Sequence, residues 1–301
     1  MQEYRAGNKK IKISNPDKIL FPDIDFNKSD LVDYYAGISR YMLRHLKDRP
    51  INMKRAPDGV AGESFYQQSA GNYFPSWVDK VEVIKKDGEK IIHVVCNDKK
   101  TLVFMSNLAC ITIHIWLSRT DNIKYPDKMI FDLDPPRDGG FDQVRTGALR
   151  LKEYFDKYSI ESFVMTTGSK GLHVVIPIKP KYGFDIVRGY ARRVGEQLSQ
   201  RYPGSFTVEQ SREKRKGRLF MDYMRNSYGI TSVCPYSIRL FPEAPVAVPL
   251  DWKELEDNNV GARSWTVKNI FRRLGHRDDP WKGIYRHRID IGKYIKNEPG
   301  E

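Results

Sequence analysis

Three short stretches of this 301-residue chain hold side chains whose types and spacing could do chemistry together. The first is Phe131-Asp132-Leu133-Asp134-Pro135-Pro136. Residues two apart on a strand point to the same side, so Asp132 and Asp134 project together at the end of an apolar run, before a Pro-Pro stop. Side-by-side carboxylates repel unless a cation lies between them. Hard oxygen donors suit Mg²⁺ or Mn²⁺, and two such ions bridged by carboxylates serve phosphoryl transfer. The second stretch is Leu219-Phe220-Met221-Asp222, which adds a third carboxylate if its strand lies beside the first. The third is Thr166-Thr167-Gly168-Ser169-Lys170-Gly171-Leu172-His173. Its glycines let backbone N–H groups approach an anion, the Thr167 and Ser169 hydroxyls donate, and Lys170 brings charge. GxxxxGK[ST] is missing and no helix follows, so this phosphate-cradling turn is not a Walker loop. His173 begins the outgoing strand, where it can meet the phosphates. Each feature also has a plainer reading, as solvated aspartates at strand ends and a structural histidine.

The elements that must position these residues can be traced along the chain. Asn27 or Ser29 caps a helix to about Leu46, with Leu31, Tyr34, Tyr35, Ile38, Tyr41 and Met42 as its apolar set. Residues 56–77, rich in glycine and proline, read as loop. Residues 81–95 read as a hairpin around Asp87-Gly88. Asp98 caps a helix through Ala109, and the following ITIHIW alternates apolar and polar residues as a strand does. KMIFDLD, SFVMTT, LHVVIPI and RLFMDY read as strands. Helices are expected over 141–158, over 184–202 (Ile186, Val187, Tyr190, Ala191, Val194 and Leu198 on one face) and over 264–274. Strands and helices alternate without a repeating βαβ rhythm, which predicts a mixed α/β (α+β) fold with a seam near Asp121–Asp127.

Composition narrows the partners. Lys plus Arg is 51 against 38 Asp plus Glu, a formal charge of +13. Such an excess attracts polyanions: nucleic acid, nucleotides or an anionic membrane surface. Arg212, Lys214, Arg215, Lys216 and Arg218 are concentrated in one short segment. Lys54-Arg55 precedes Phe65-Tyr66, and basic groups with stackable rings nearby suit single-stranded or gapped nucleic acid. Hydrophobic residues at 40% exclude a disordered chain, and no apolar run is long enough for a spanning helix. The N-terminal MQEYRAGNKKIKIS has no apolar region of a signal peptide. Cys96, Cys110 and Cys234 are odd in number and widely spaced, which fits core residues in a reducing, cytoplasmic setting.

The ordered set DLD, TTGSKGLH and strand-ending Asp222 resembles the three motifs of the archaeo-eukaryotic primase superfamily, in particular the polymerase domain of bacterial DNA ligase D. The likeness extends through SNPDKILFP, KRAPDGVAGESFYQQ, NLACITIHIW, FDLDPP, FMDYMRN and PYSIRLFPEAPVAVPLDW. It implies a two-lobed primase-polymerase fold over residues 1–301, with an N-terminal lobe of about 1–125 and an RRM-like catalytic lobe of about 126–301. By resemblance, Asp132, Asp134 and Asp222 bind two Mn²⁺ or Mg²⁺ ions. Lys54, His114, Thr167, Ser169, Lys170, His173 and Arg239 match the groups around the incoming nucleotide. Asn15, Lys18 and Lys28 fall where the family grips a DNA 5′-phosphate, and Phe65 and Tyr66 match aromatics at the template. There are departures: the family often has Ser at Thr167, two phenylalanines at 65–66, a basic residue at Gln68 and an uncharged polar residue at Arg225.

The implied activity is template-directed nucleotidyl transfer from NTP or dNTP, preferring ribonucleotides, that fills short gaps at double-strand breaks in non-homologous end joining, alongside Ku and a ligase. No ligase or phosphoesterase motif is seen, so a polymerase module alone is expected. The rival readings are a primase that starts primers de novo, a metal-dependent nuclease, and a non-catalytic nucleic-acid-binding module. The nuclease does not need the phosphate turn, and the binding module does not need three acids beside it.

Overall fold

A computed structural model of the chain describes residues 2–6 and 9–296. Its first elements are β1 (Gln2–Ala6), β2 (Lys9–Ile13), β3 (Ile19–Phe21), β4 (Phe26–Asn27), α1 (Lys28–Leu46), β5 (Pro50–Arg55) and β6 (Phe65–Gln67). There follow β7 (Lys80–Ile84), β8 (Lys90–Val95), α2 (Lys99–Asn107), β9 (Cys110–Trp116), β10 (Lys128–Asp134), α3 (Phe141–Asp156), β11 (Phe163–Thr166) and β12 (Leu172–Pro177). The rest comprises α4 (Phe184–Arg201), β13 (Phe206–Thr207), β14 (Leu219–Asp222), β15 (Thr231–Val233), β16 (Val248–Leu250), α5 (Ile270–His276) and α6 (Gly292–Lys296). These elements form two compact units: one takes the chain up to Trp116 with Thr231–Ala247 and Trp265–Arg277, and the other takes Leu117–Ile230, Val248–Ser264 and the chain from Asp278.

The first unit is built on a sheet of order β15-β9-β5-β8-β7, with β6 paired to β5. Its leading helix starts where the sequence caps it: Asn27 accepts from the Asp30 N–H, and the Asp30 carboxylate accepts from the Asn27 N–H. Val32 and Ala36 of α1 bury against Ile11, Ile13 and Val103. Three sequence expectations change here. β9 does not alternate between core and solvent, because all seven residues are buried, including Thr112 and His114. Phe65 and Tyr66 do not sit in a loop; they form β6, held by the register Lys54↔Tyr66 and Arg55↔Phe65. α5 starts at Ile270 rather than Ser264, since the Asn269 side chain accepts from the Thr266 N–H and holds the preceding residues in a turn.

The second unit carries β10-α3-β11-β12-α4-β14, the β-α-β-β-α-β succession of an RRM-like sheet. Its strand order is β13-β14-β10-β12-β11-β16. Phe131 lies 5.4 Å from Phe155 of α3, so the odd residues of β10 face the helices. Asp132 and Asp134 therefore lie on the opposite face. α4 buries Val187, Tyr190, Ala191, Val194 and Leu198, but Ile186, expected with them, is 49% exposed. The three cysteines are free and buried.

Past Asp222 the β10–β14 ladder stops, and a short 3₁₀ turn at Met224–Asn226 takes over. Fully buried Asn226 completes the missing rung: it accepts from the Ile130 N–H at 2.8 Å and donates to the Ile130 carbonyl at 2.7 Å. Asn226→Ala would leave both main-chain groups of Ile130 without partners in the core. Chemical denaturation should show a loss of about 2–4 kcal/mol. An unchanged midpoint would mean the rung carries no stability.

Candidate active site

The register between β10 and β14 sets Asp132 directly opposite Asp222 and Asp134 opposite Phe220. The register between β10 and β12 sets His173 opposite Asp132 on the other side. Three carboxylates and an imidazole thus share one end of one sheet face. Asp132 is only 4% exposed. One of its oxygens lies 3.3 Å from His173 Nε2, and the other accepts from Arg225 Nε at 2.7 Å. Arg225 Nε also lies 3.6 Å from an Asp222 oxygen. Burial pushes the Asp132 carboxyl up, but His173 and Arg225 outweigh it and hold the group below the usual carboxylate range. Burial and the neighbouring Asp132 push Asp134 up to about 6. The same two causes raise Asp222, against the pull of Arg225. Burial works against the Arg225 charge, yet Asp132, Asp222 and Asp134 keep its pKa raised.

Among the described residues, no three His, Cys, Asp or Glu side chains are disposed to hold a metal ion as they stand. The expected metal set of Asp132, Asp134 and Asp222 shares a face but is not gathered around a cation position, because His173 and Arg225 engage the Asp132 carboxylate. The donor chemistry nonetheless fits a divalent cation. These are hard carboxylate oxygens at close quarters, two of them with pKa raised by burial and by Asp132.

The turn between β11 and β12 lies against this cluster. A Cβ built on Gly171 would stand 2.2 Å from the Leu133 carbonyl oxygen and 3.6 Å from Asp134 Oδ1, so only glycine fits there. Gly168 has φ +64, again a glycine conformation. Thr167 differs from its expected part as a phosphate donor: its hydroxyl donates to the Gly171 carbonyl at 3.1 Å and accepts from the Ser169 and Gly171 N–H groups at 3.3 Å. It therefore holds the turn closed from within. Arg263 Nε fixes the other side by donating to the Ser169 carbonyl at 3.0 Å. His173 is buried, and its Nδ1 has no hydrogen-bond partner among the described residues. Lys170 is exposed and, with Asp134, lines a cavity of about 990 Å³. The opposite wall carries Arg212, Arg215 and Lys216, and Arg137 stands beside Pro136. Three of the five residues of the basic segment thus line this cavity, where cations outnumber acids. Arg215 is anchored through donation to the Glu209 and Gln210 carbonyls, and its guanidinium lies 3.6 Å from the Phe220 ring centroid.

The first unit brings together a different set of expected residues. Lys54 pairs across the sheet with Tyr66, its Nζ 5.7 Å from the ring centroid. Tyr66 in turn lies 5.6 Å from the His114 ring. Burial lowers the Lys54 pKa, and Arg239 lowers it further through like charge, which puts Arg239 in the same neighbourhood. Tyr66 and Phe65 are both exposed but alternate across the strand, with Phe65 lying 5.4 Å from the Arg55 guanidinium. They do not form one stacking platform. Lys28 is buried, donates to Ser14 Oγ at 2.7 Å, and has its pKa lowered by burial and then by Lys18 and Arg55. Lys18 pairs with Asp58 at 2.5 Å, and Asn15 opens the turn with its carbonyl accepting from the Lys18 N–H and φ +48. Clustered cations at a half-buried site are what an anion would relieve. Sequence reading missed the engagement of Arg225 and the rung made by Asn226. The signals were the placement of both on the turn directly after a motif acid and, for Arg225, its departure from the uncharged residue of the resembled family.

A family model described as LigD, primase-polymerase domain, matches residues 27–281. The multifunctional non-homologous end joining protein LigD of Pseudomonas aeruginosa is 29% identical over 299 residues, 98% of this chain and 35% of that protein. The bifunctional non-homologous end joining protein LigD of Bacillus subtilis is 30% identical over 282 residues, 93% of this chain and 45% of that protein. The chain thus spans less than half the length of these relatives. Among solved structures, the polymerase domain from Mycobacterium tuberculosis ligase D in complex with DNA superposes with TM-score 0.86 at 26% identity. That match covers 92% of this chain and 98% of the other.

The close approach of Gly171 gives a direct test of the turn. Gly171→Ala would drive a methyl group into the Leu133 carbonyl. It should lower the thermal midpoint and weaken binding of inorganic triphosphate about tenfold or more, read by calorimetry. Undiminished triphosphate affinity would show that the turn cradles nothing.

Proposed function

The chain belongs to the LigD primase-polymerase domain family, and from that premise we propose that it is a template-directed nucleotidyltransferase that extends primers and fills short gaps at DNA double-strand breaks in non-homologous end joining. One observation carries this reading. The pairing of Asp132 with Asp222 collects three carboxylates on one sheet face, and Gly171 brings the Thr167–Gly171 turn close against Leu133 and Asp134.

Asp132, Asp134 and Asp222 would hold two divalent ions, Mn²⁺ better than Mg²⁺, which when bound supply activation of the primer 3′-hydroxyl and charge neutralisation of the departing pyrophosphate. Lys170 and the backbone of the Gly168–Gly171 turn bind the triphosphate. The cavity wall of Arg212, Arg215 and Lys216 raises the local concentration of that polyanion. His173 holds the Asp132 carboxylate through Nε2. In the first unit, Lys54, His114 and Arg239 serve as nucleotide contacts and Tyr66 and Phe65 as ring surfaces for bases. Lys28, Lys18 and Asn15 bind a 5′-phosphate, since a buried lysine with a lowered pKa gains most from a dianion. Ribonucleotides are preferred over deoxyribonucleotides, and the activity serves end joining with Ku and a ligase.

Labelled nucleotide, Mn²⁺ and a gapped duplex test the reading. Asp132→Asn and Asp222→Asn should each lower gap filling by about a thousandfold or more while gapped DNA still binds. Normal extension by either variant would end the proposal, and synthesis on bare single strands alone would favour a primase. Lys28→Ala should weaken binding by about tenfold to gaps bearing a 5′-phosphate and hardly at all to gaps without one. Equal losses on both would remove the dedicated phosphate pocket.

A further inference from the structure

Arg225 stands on the 3₁₀ turn that follows Asp222, and its backbone is held from both ends. The Asp222 carboxylate accepts from the Met224 N–H at 2.8 Å, and Asn226 is pinned to Ile130. Only the side chain of Arg225 is left to move. Its Nε donates to Asp132 at 2.7 Å and lies 3.6 Å from Asp222, so one guanidinium spans two of the three acids. Arg215, which lines the cavity with Asp134, is tied by its own N–H groups to the carbonyls of Glu209 and Gln210. Burial is asymmetric across the pair: the Asp132 side chain is 6% exposed and that of Arg225 is 39% exposed. The arginine therefore has an open route to water and the aspartate has none.

We propose that Arg225 is the resident cation of the carboxylate cluster and sets its divalent-metal affinity, because the guanidinium must release Asp132 before that oxygen can ligate an ion. This rests on the reading of Asp132, Asp134 and Asp222 as metal ligands. Guanidinium and metal then compete for the same oxygens, and each lowers the affinity of the site for the other by the same factor. Arg225 keeps three close carboxylates compatible in the metal-free protein, and it weakens metal uptake by its charge and by occupying an oxygen. The two effects have opposite signs in one variant. Arg225→Gln should tighten Mn²⁺ binding about tenfold or more while lowering the thermal midpoint of the metal-free protein. An arginine that merely braced the fold would lower the midpoint without tightening the metal.

The measurement is a Mn²⁺ titration of the full chain without DNA or nucleotide, following free Mn²⁺ by electron paramagnetic resonance. Melting curves with and without Mn²⁺ accompany it. Arg225→Gln, Arg225→Lys and Asp134→Asn are compared with the parent chain. The expected pattern is tighter binding for Arg225→Gln, near-parent binding for Arg225→Lys, which keeps the charge, and weaker binding for Asp134→Asn. If Asp134→Asn weakens binding but Arg225→Gln does not tighten it, the inference on Arg225 fails and the metal reading stands. If Arg225→Lys tightens as much as Arg225→Gln, resident charge is not the cause and the inference fails. If Asp134→Asn binds like the parent, the carboxylates are not the ligands and both readings fall.

Discussion

Electrostatic repulsion among Asp132, Asp134 and Asp222 is the constraint around which the second unit is arranged. The antiparallel register of β10 with β14 brings the carboxylates together, and the same register buries Asp132 almost completely. An isolated buried carboxylate is costly, and like charges nearby raise the cost. The structure offsets this with specific partners: His173 across β12 on one oxygen and Arg225 from the following turn on the other. Asp134 and Asp222 lack such complete compensation and respond with raised pKa values. The cluster is thus charged where it is clamped and reluctant to be charged where it is not.

Much of this was legible in the sequence because the signals were local. A period of two on KMIFDLD is enough to put Asp132 and Asp134 on one face, and Asn27 with Asp30 is enough to start α1. The two glycines of the Thr-Gly-Ser-Lys-Gly turn announced a special backbone, and both are used, one for a positive φ and one for close approach to Leu133. The expectations that failed were those in which tertiary context decides. ITIHIW alternates in polarity, yet β9 is central in its sheet and buries both faces, so Thr112 and His114 go inside with the apolar residues. Residues 56–77 have loop composition, but β5 offers a free edge there and Phe65–Gln67 pairs with it.

The candidate site was legible in its acids and not in its cations. A carboxylate that ends an apolar strand stands out against its neighbours. Arg225 stood out only as a departure from the family pattern, and it takes coordinates to place it on the acids and Arg215 on its own loop. Thr167 shows a subtler loss. Its hydroxyl has the right chemistry to donate to a phosphate, but the turn around it consumes that capacity by pairing it with Gly171 and Ser169. Residue type predicts what a group can do, and the hydrogen bonds it already makes decide what remains.

The close fit of Gly171 against Leu133 couples the turn to the carboxylate cluster of the second unit. The turn cannot shift outward without losing the His173–Asp132 register that follows it on β12, since the turn leads into that strand with no intervening slack. Nor can it shift inward, because the Leu133 carbonyl is already at contact distance from any added atom. The position of the turn and the orientation of the Asp132 carboxylate are therefore one structural variable. A substitution that moves either should move both, and this leaves charge, supplied by movable side chains such as Arg225 and Lys170, as the means by which the site can be adjusted without being rebuilt.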